Sequence, residues 1–459
     1  MSKIIEEVYR RMYRIGAAIQ IMGGNSIHSG NISLRDLSDP DIFYITASGS
    51  QCGSLTAKDI VALRFSRRTK EDERASTETP THRRVLQLQG VRAVVHAHCF
   101  YSTLISFDSR EEQNFLQYVG KDGEGREAFL FHPVDLYGRW CVGDVPVGSY
   151  LQPVGSAEME QRIPHYLTDH SATIVRSHGP FVGADSPEKA FHLLTVLETS
   201  AEIAVLLRRR GIDVTGIQNS IQSSSEEKMI SLTSYGFDYI DFSSSEVKEK
   251  QVIQEFRQSL SYNYINHLGS FATGSMSQKV TNDEMVFCPL SALPEGFSLP
   301  LQIKSLTPKP DDSLDMRLHK LIYQHTDQKA CMITVSPRAV AEAMAVLAEK
   351  YGVKTLIGDA SSISYTEKEH PVITAIDAEA KYCNPRLGLV DMTQLNNTAS
   401  EIPILNMLRW HKGCCVVANY GVISTSQTTL EQAVHSAALA ERAAGFRQEV
   451  YFNQHIGGK

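Results

Sequence analysis

The chain has no disulfide framework to offer. Its eight cysteines are scattered over 459 residues, with no CxxC and one adjacent pair, Cys414-Cys415. That suits neither a stapled secreted domain nor a cysteine zinc site, and reduced thiols in a cytoplasmic protein are the expectation. Basic charge is not in excess: 45 Lys and Arg stand against 52 Asp and Glu, a net charge of -7. A nucleic-acid partner would leave a positive footprint, so none is expected. No apolar run approaches a membrane span, and the charged, amphipathic residues 1–15 lack a secretory apolar core. No membrane partner is expected. A small anionic substrate stays compatible, because a local site can be positive on an acidic chain.

What is present is ordinary globular material, 42% hydrophobic and 21% charged, long enough for two or three domains. Ile4, Ile5, Val8, Met12, Ile15 and Ile19 recur at helical spacing. Short strands follow at 29–35, 42–45 and 60–63. Ser76-Thr77-Glu78-Thr79-Pro80 reads as a helix start with an N-cap hydroxyl and proline in the first turn. Residues 109–126 read as a polar stretch, 144–147 as a short edge strand, 156–167 as a helix capped by Ser156, and 173–175 as a strand. A long helix at 187–210 closes the unit. The serine-rich residues 216–237 read as a linker. This predicts domains at 1–215 and 238–459.

The second half repeats the first in outline. Gly274-Ser275-Met276-Ser277 matches Gly30-Asn31-Ile32-Ser33, and Asp315 with His319 matches Glu78 with His82. Ala330-Cys331-Met332-Ile333-Thr334-Val335 matches the strand from Ala93 to His98, and Val416 to Gly421 matches Ile174 to Gly179. His98 precedes His178 by 80 residues and Val335 precedes Tyr420 by 85.

The chemistry centres on Val94-Val95-His96-Ala97-His98. In a strand, residues i and i+2 face the same side, so both rings point to one place. That pattern alone fits a capped strand end as well as two ligands of one metal. His178 has a similar strand-end position before a glycine. At the aligned places the second half carries Ile333, Val335 and Tyr420, so all three histidines are lost together. Three neutral imidazoles with an open position suit a catalytic metal site. Such a site also requires a base, for which Glu78 is the candidate, although Ser-Thr-Glu at a helix start reads on its own as simple N-capping. His82, retained as His319, reads as structural.

In this order Gly30-Asn31-Ile32-Ser33, Thr46-Ala47-Ser48-Gly49, Ser76-Thr77-Glu78, His96-Ala97-His98 and Ser177-His178-Gly179 resemble the class II aldolase/adducin family. The resemblance covers about residues 4–212 well and about 247–450 faintly. It implies an α/β fold of two tandem αβα domains, each a central, mainly antiparallel sheet covered by helices, the second without a metal site.

It also implies that His96, His98 and His178 bind one divalent ion per chain, Zn²⁺ first, with Mn²⁺, Co²⁺ or Fe²⁺ as alternatives. Glu78 would be the acid/base, and Asn31, Ser48, Gly49, Ser76 and Thr77 would hold a substrate phosphate. The family's aldolases take a proton-donating tyrosine from a neighbouring subunit. Tyr351 in the second half and Tyr118 in the first lie near the relevant place. The implied reaction is retro-aldol cleavage of a small phosphorylated sugar or keto-polyol through a metal-stabilised enediolate. Alternatives on the same site are a decarboxylase, epimerase or dehydratase of a sugar-acid phosphate, and a non-catalytic adducin-like scaffold. The epimerase branch carries aspartate where this chain has Glu78, which disfavours that reading. The family's four-fold rings imply a homo-oligomer, here a dimer forming a pseudo-four-fold ring.

Overall fold

The computed structural model describes residues 3–123, 125–223, 249–269, 273–290, 301–357, 359–395 and 402–455. The chain forms two compact units. One contains Met1–Pro133 and Gly138–Ala201, the other Val134–Tyr137 and Glu202–Lys459.

The first unit is built on a nine-stranded sheet. Its strands are β1 (Asn31–Arg35), β2 (Ile42–Thr46), β3 (Ile60–Arg64), β4 (Ala93–His96), β5 (Leu116–Lys121), β6 (Glu127–Phe131), β7 (Val145–Gly148), β8 (Ala172–Val175) and β9 (Gly179–Ala184). Their spatial order is β3-β2-β1-β4-β9-β8-β7-β6-β5. Every neighbouring pair is antiparallel except β7 and β8. The central strands β4, β8 and β9 are buried throughout, and apart from His96 they carry only apolar or small residues.

The helices of this unit are α1 (Lys3–Ile21), α2 (Thr79–Val85), α3 (Phe100–Ile105), α4 (Ala157–Asp169) and α5 (Pro187–Arg209). Val8, Met12, Ile15 and Ile19 form the buried stripe of α1. Val85 and Leu86 from α2 and its C-cap join Met159, Ile163 and Leu167 from α4. Together they cover Phe43, Ile45, Val61, Leu63, Val94, Val175 and Phe181 of the sheet. Complete burial of each such side chain contributes roughly 1.5–3 kcal/mol. Val94 belongs to this core, so His96, two residues on, shares its face.

The second unit repeats the plan. Its strands are β10 (Gly274–Lys279), β11 (Glu284–Pro289), β12 (Gln302–Ser305), β13 (Ala330–Thr334), β14 (Val372–Thr374), β15 (Arg386–Val390), β16 (Cys414–Val417) and β17 (Gly421–Ser426). The order β12-β11-β10-β13-β17-β16-β15-β14 matches the first sheet strand for strand, less the outermost one. The parallel pair, β15 with β16, falls at the same place. The close approach of β9 to the end of β4 needs glycine. A Cβ on Gly179 would lie 2.3 Å from the Ala97 oxygen, and one on Gly421 would lie 2.4 Å from that of Thr334.

Several local expectations are corrected. The polar stretch 109–126 contains β5, which pairs with β6 in a hairpin. Those two strands extend the sheet past β7, so 144–147 belongs to an interior strand. β5 lies at the edge with mostly half-exposed residues, which removes the alternation that marks a strand. Helix α2 starts only at Thr79, with Glu78 at the N-cap and no side-chain cap bond. Of the stretch read as linker, residues 216–223 belong to a helix, α6 (Val214–Ser223), whose Val214 and Ile217 are buried. The remainder, 224–237, lies outside the described residues. Helix α5 is long and apolar enough to cross a membrane by composition alone, but 83% of that window is buried in the fold.

Candidate metal centre

His96 ends β4, and His98 lies two residues beyond it. His178 sits in the tight turn between β8 and β9, after Ser177 with a left-handed φ of 63°. Antiparallel pairing of β4 with β9 brings these chain segments together. One ring nitrogen from each histidine lies within 4.8 Å of the others, the one such group among the described residues. Ring centroids are 5.1 Å apart for His96 and His98, 4.6 Å for His96 and His178, and 4.5 Å for His98 and His178.

Each of these residues is held by its surroundings. His96 Nδ1 donates to the Pro180 oxygen at 2.9 Å, which directs Nε2 into the cluster. Its face stacks on Phe181 at 4.0 Å. The His98 backbone N–H donates to Asn25 Oδ1 at 2.9 Å. The Pro153 main chain lies against the His178 ring. Burial pushes His178 down to about 3, and holds His96 well below and His98 below the usual imidazole value. All three are therefore neutral at pH 7, as metal coordination requires.

Glu78 closes the group. Its Oε2 is 3.5 Å from His96 Nε2 and its Oε1 is 3.8 Å from His178 Nε2. Asn31, on β1, donates its amide to Glu78 Oε2 at 2.7 Å and to Ser76 Oγ at 3.1 Å. Burial raises the Glu78 carboxyl above its ordinary value, opposed by the Asn31 hydrogen bond. His96 Nε2, His178 Nδ1, Glu78 Oε1 and Asn31 Oδ1 are buried without a hydrogen-bond partner. Each unmade bond costs about 1–3 kcal/mol. Unpartnered His96 Nε2 and Glu78 Oε1 beside neutral imidazoles fit a bound divalent cation.

The hydroxyl loops adjoin this cluster. Ser48 N–H donates to Arg74 O at 2.9 Å, Ser76 N–H donates to Thr46 O at 3.1 Å, and Ala47 bridges Ala75. Ser48 and Gly49 are thereby zipped to the segment that carries Ser76 and Thr77. His28 Nδ1 donates to the Gly49 oxygen at 3.0 Å, and Gly155 packs on the Thr77 carbonyl. His82 plays no part in this. It is fully buried with Nδ1 2.7 Å from Ser33 Oγ, and His319 repeats the pair with Ser277 at 2.6 Å.

Tyr118 does not join the histidines of the first unit. It is on edge strand β5, four strand positions from β9, about 19 Å at roughly 4.8 Å per strand. Its ring packs on Phe129 and under Arg110. Tyr351 lies in the second unit, at the end of the helix Pro337–Tyr351 beside Lys350. Asn25, Pro153, Pro180 and Phe181 support the ligand histidines through contacts that no sequence motif marks. Asn25 alone carries a local sign, the Gly23-Gly24-Asn25 turn.

These features describe a duplicated α/β domain with a three-histidine centre in one copy. Residues 10–205 and 268–447 both match the Class II Aldolase and Adducin N-terminal domain, and the chain belongs to that family. It is 27% identical over 217 residues to a 3-oxo-tetronate 4-phosphate decarboxylase of Escherichia coli K12, covering 46% of this chain and 92% of the relative. It is 28% identical over 182 residues to a methylthioribulose-1-phosphate dehydratase of Microcystis aeruginosa, covering 37% and 81%. Among solved structures, the L-fuculose-1-phosphate aldolase of Thermus thermophilus is 27% identical, with 44% of this chain and 95% of that one covered and a TM-score of 0.38.

Proposed function

We propose that this chain is a metal-dependent carbon–carbon lyase, an aldolase, acting on a small phosphorylated sugar or keto-polyol. The carrying observation is the cluster of His96, His98 and His178 ring nitrogens within 4.8 Å of one another, with unpartnered His96 Nε2 and Glu78 Oε1 beside it. His96, His98 and His178 would hold one divalent ion, Zn²⁺ before Mn²⁺, Co²⁺ or Fe²⁺. Such an ion supplies Lewis-acid polarisation of a substrate carbonyl oxygen.

The chain's own residues do the rest. Asn31 fixes Glu78 Oε2 and leaves Oε1 directed at the cluster, where the carboxylate would take the proton of the hydroxyl that becomes the aldehyde and return a proton to the carbon left by cleavage, with the reverse in condensation. Pro180 fixes the His96 tautomer. Ser48, Gly49, Ser76 and Thr77 anchor the phosphate, so the reacting carbons stay beside Glu78. Burial of Glu78 and His96 keeps water from competing for the proton.

A second reading, decarboxylation, is favoured by the relatives named 3-oxo-tetronate 4-phosphate decarboxylase. There the bond to the carboxylate breaks, CO₂ leaves, and Glu78 protonates the same carbon. The test is a panel of phosphorylated ketoses and 3-oxo acid phosphates, assayed with metal-loaded protein and scored separately for aldehyde and CO₂. Aldehyde release establishes the aldolase. CO₂ without aldehyde replaces it with the decarboxylase. Loss of water without carbon–carbon cleavage, or no turnover on either class, overturns both.

A further inference from the structure

The second unit keeps the frame of a site that has no histidine ligands. Ser275 stands where Asn31 does, Asp315 where Glu78 does, and Ile333, Val335 and Tyr420 where His96, His98 and His178 do. Its polar groups are engaged with one another. Ser275 Oγ donates to Asp315 Oδ2 at 2.5 Å and lies 2.9 Å from His319 Nε2. The Tyr420 hydroxyl donates to Asp315 Oδ1.

A second phenol reaches the same oxygen. Tyr137 donates to Asp315 Oδ1 at 3.0 Å and stacks on Tyr420 with centroids 5.7 Å apart and an interplanar angle of 16°. Tyr137 ends Val134–Tyr137, the four residues between Pro133 and Gly138 that belong to the second unit. Their main chain is held as well. Leu136 N–H donates to Asn419 O at 2.7 Å, and Asn419 Nδ2 donates to Val134 O at 3.0 Å. All four residues are at most 1% exposed. Asn419 makes these bonds from a left-handed turn, φ 66°, at the position of Ser177. Main-chain bonds along a segment with one side chain seated in a pocket are the physics of peptide recognition.

We infer that the vacated site of the second copy is a peptide-binding site whose occupant is the chain's own Val134–Tyr137. Asn419 reads the main chain, while Asp315 and Tyr420 read the phenol. A phenylalanine at 137 would fill the space but withdraw a donor from a half-buried carboxylate. The occupant is therefore specified as tyrosine and not merely as an aromatic ring.

The test is hydrogen exchange with mass spectrometry on the full metal-loaded chain, comparing wild type with Tyr137→Phe and Asn419→Gly. The glycine variant keeps the left-handed turn and removes the amide donor. Exchange at Leu136 and Tyr137 is expected to quicken about tenfold in each, with β10, β13 and β17 at wild-type rates. Unchanged exchange at Leu136 in both variants overturns the inference. So does equal acceleration across β10, β13 and β17, because the residues would then be holding the unit and not the segment.

Discussion

Glu198 and Glu441 cap corresponding helices in the two units. Glu198, from α5, accepts hydrogen bonds from the Tyr101 and Ser102 amides at 2.6 and 2.8 Å and from Ser102 Oγ at 2.7 Å. Glu441, from the helix Leu430–His455, accepts from the Arg338 and Ala339 amides at 3.1 and 2.8 Å. The capped helices begin just after His98 and just after Val335. In each case a carboxylate reaches across the unit to amides that a helix N-terminus leaves without partners.

Burial lifts the Glu441 carboxyl from 4.5 to about 7 despite these bonds. The folded chain therefore holds a proton between about pH 4.5 and 7 that the unfolded chain releases. Stability from this group is complete below that window and is lost as pH rises through it. Urea midpoints, followed by labelling of the buried thiols Cys414 and Cys415, should fall across that range. Glu441→Gln should flatten the slope, and an unchanged slope would refute the assignment.

Metal content should separate two buried histidines on the same side of the first unit. Wild-type protein should contain about one divalent ion per chain, and His96→Ala should contain none. His82→Ala should keep the ion yet lose about 2 kcal/mol or more of stability, because Ser33 loses its buried partner. Two ions per chain, or none in the wild type, would remove the proposed centre.

Glu78→Gln preserves size and an oxygen for Asn31 but cannot carry the proton. Turnover should drop by roughly 10²–10⁴ with metal content unchanged. Wild-type turnover in this variant would assign the proton transfer elsewhere.

Alanine at Ser76 and Thr77 should raise KM for a phosphorylated substrate while changing kcat little. The same variants should leave KM for an unphosphorylated analogue unaltered. Equal KM for wild type and variant on the phosphorylated substrate would free these hydroxyls from any role in anchoring.

The parts of this architecture that could be read in advance were those written locally. Val94-Val95-His96 and Thr173-Ile174-Val175 are runs buried on both faces, so composition alone marks them. Comparison of the halves exposed the ligand set, because Ile333, Val335 and Tyr420 fall at matching places. Edge strand β5 escaped for want of a buried face, and α2 began later than its hydroxyls suggested because Ser76 bonds the Asn31 amide and the Glu78 N–H. Glu198 and Glu441 were hidden inside long closing helices whose burial is decided by tertiary packing. The attachment of Val134–Tyr137 to Asn419 spans 285 residues from Val134, and no local pattern encodes such a partner.

The turns at Ser177 and Asn419, with φ of 63° and 66°, make the molecule its own reference sample. Both precede a ring and both join a strand pair of the same geometry, although Ser177 is exposed and Asn419 is buried. Only one of them leads to a histidine. A probe that reports at 177 and 419 together subtracts everything the two share. What is left over is the contrast between a turn that leads to imidazoles and one closed by Val134–Tyr137, read without a second protein for comparison.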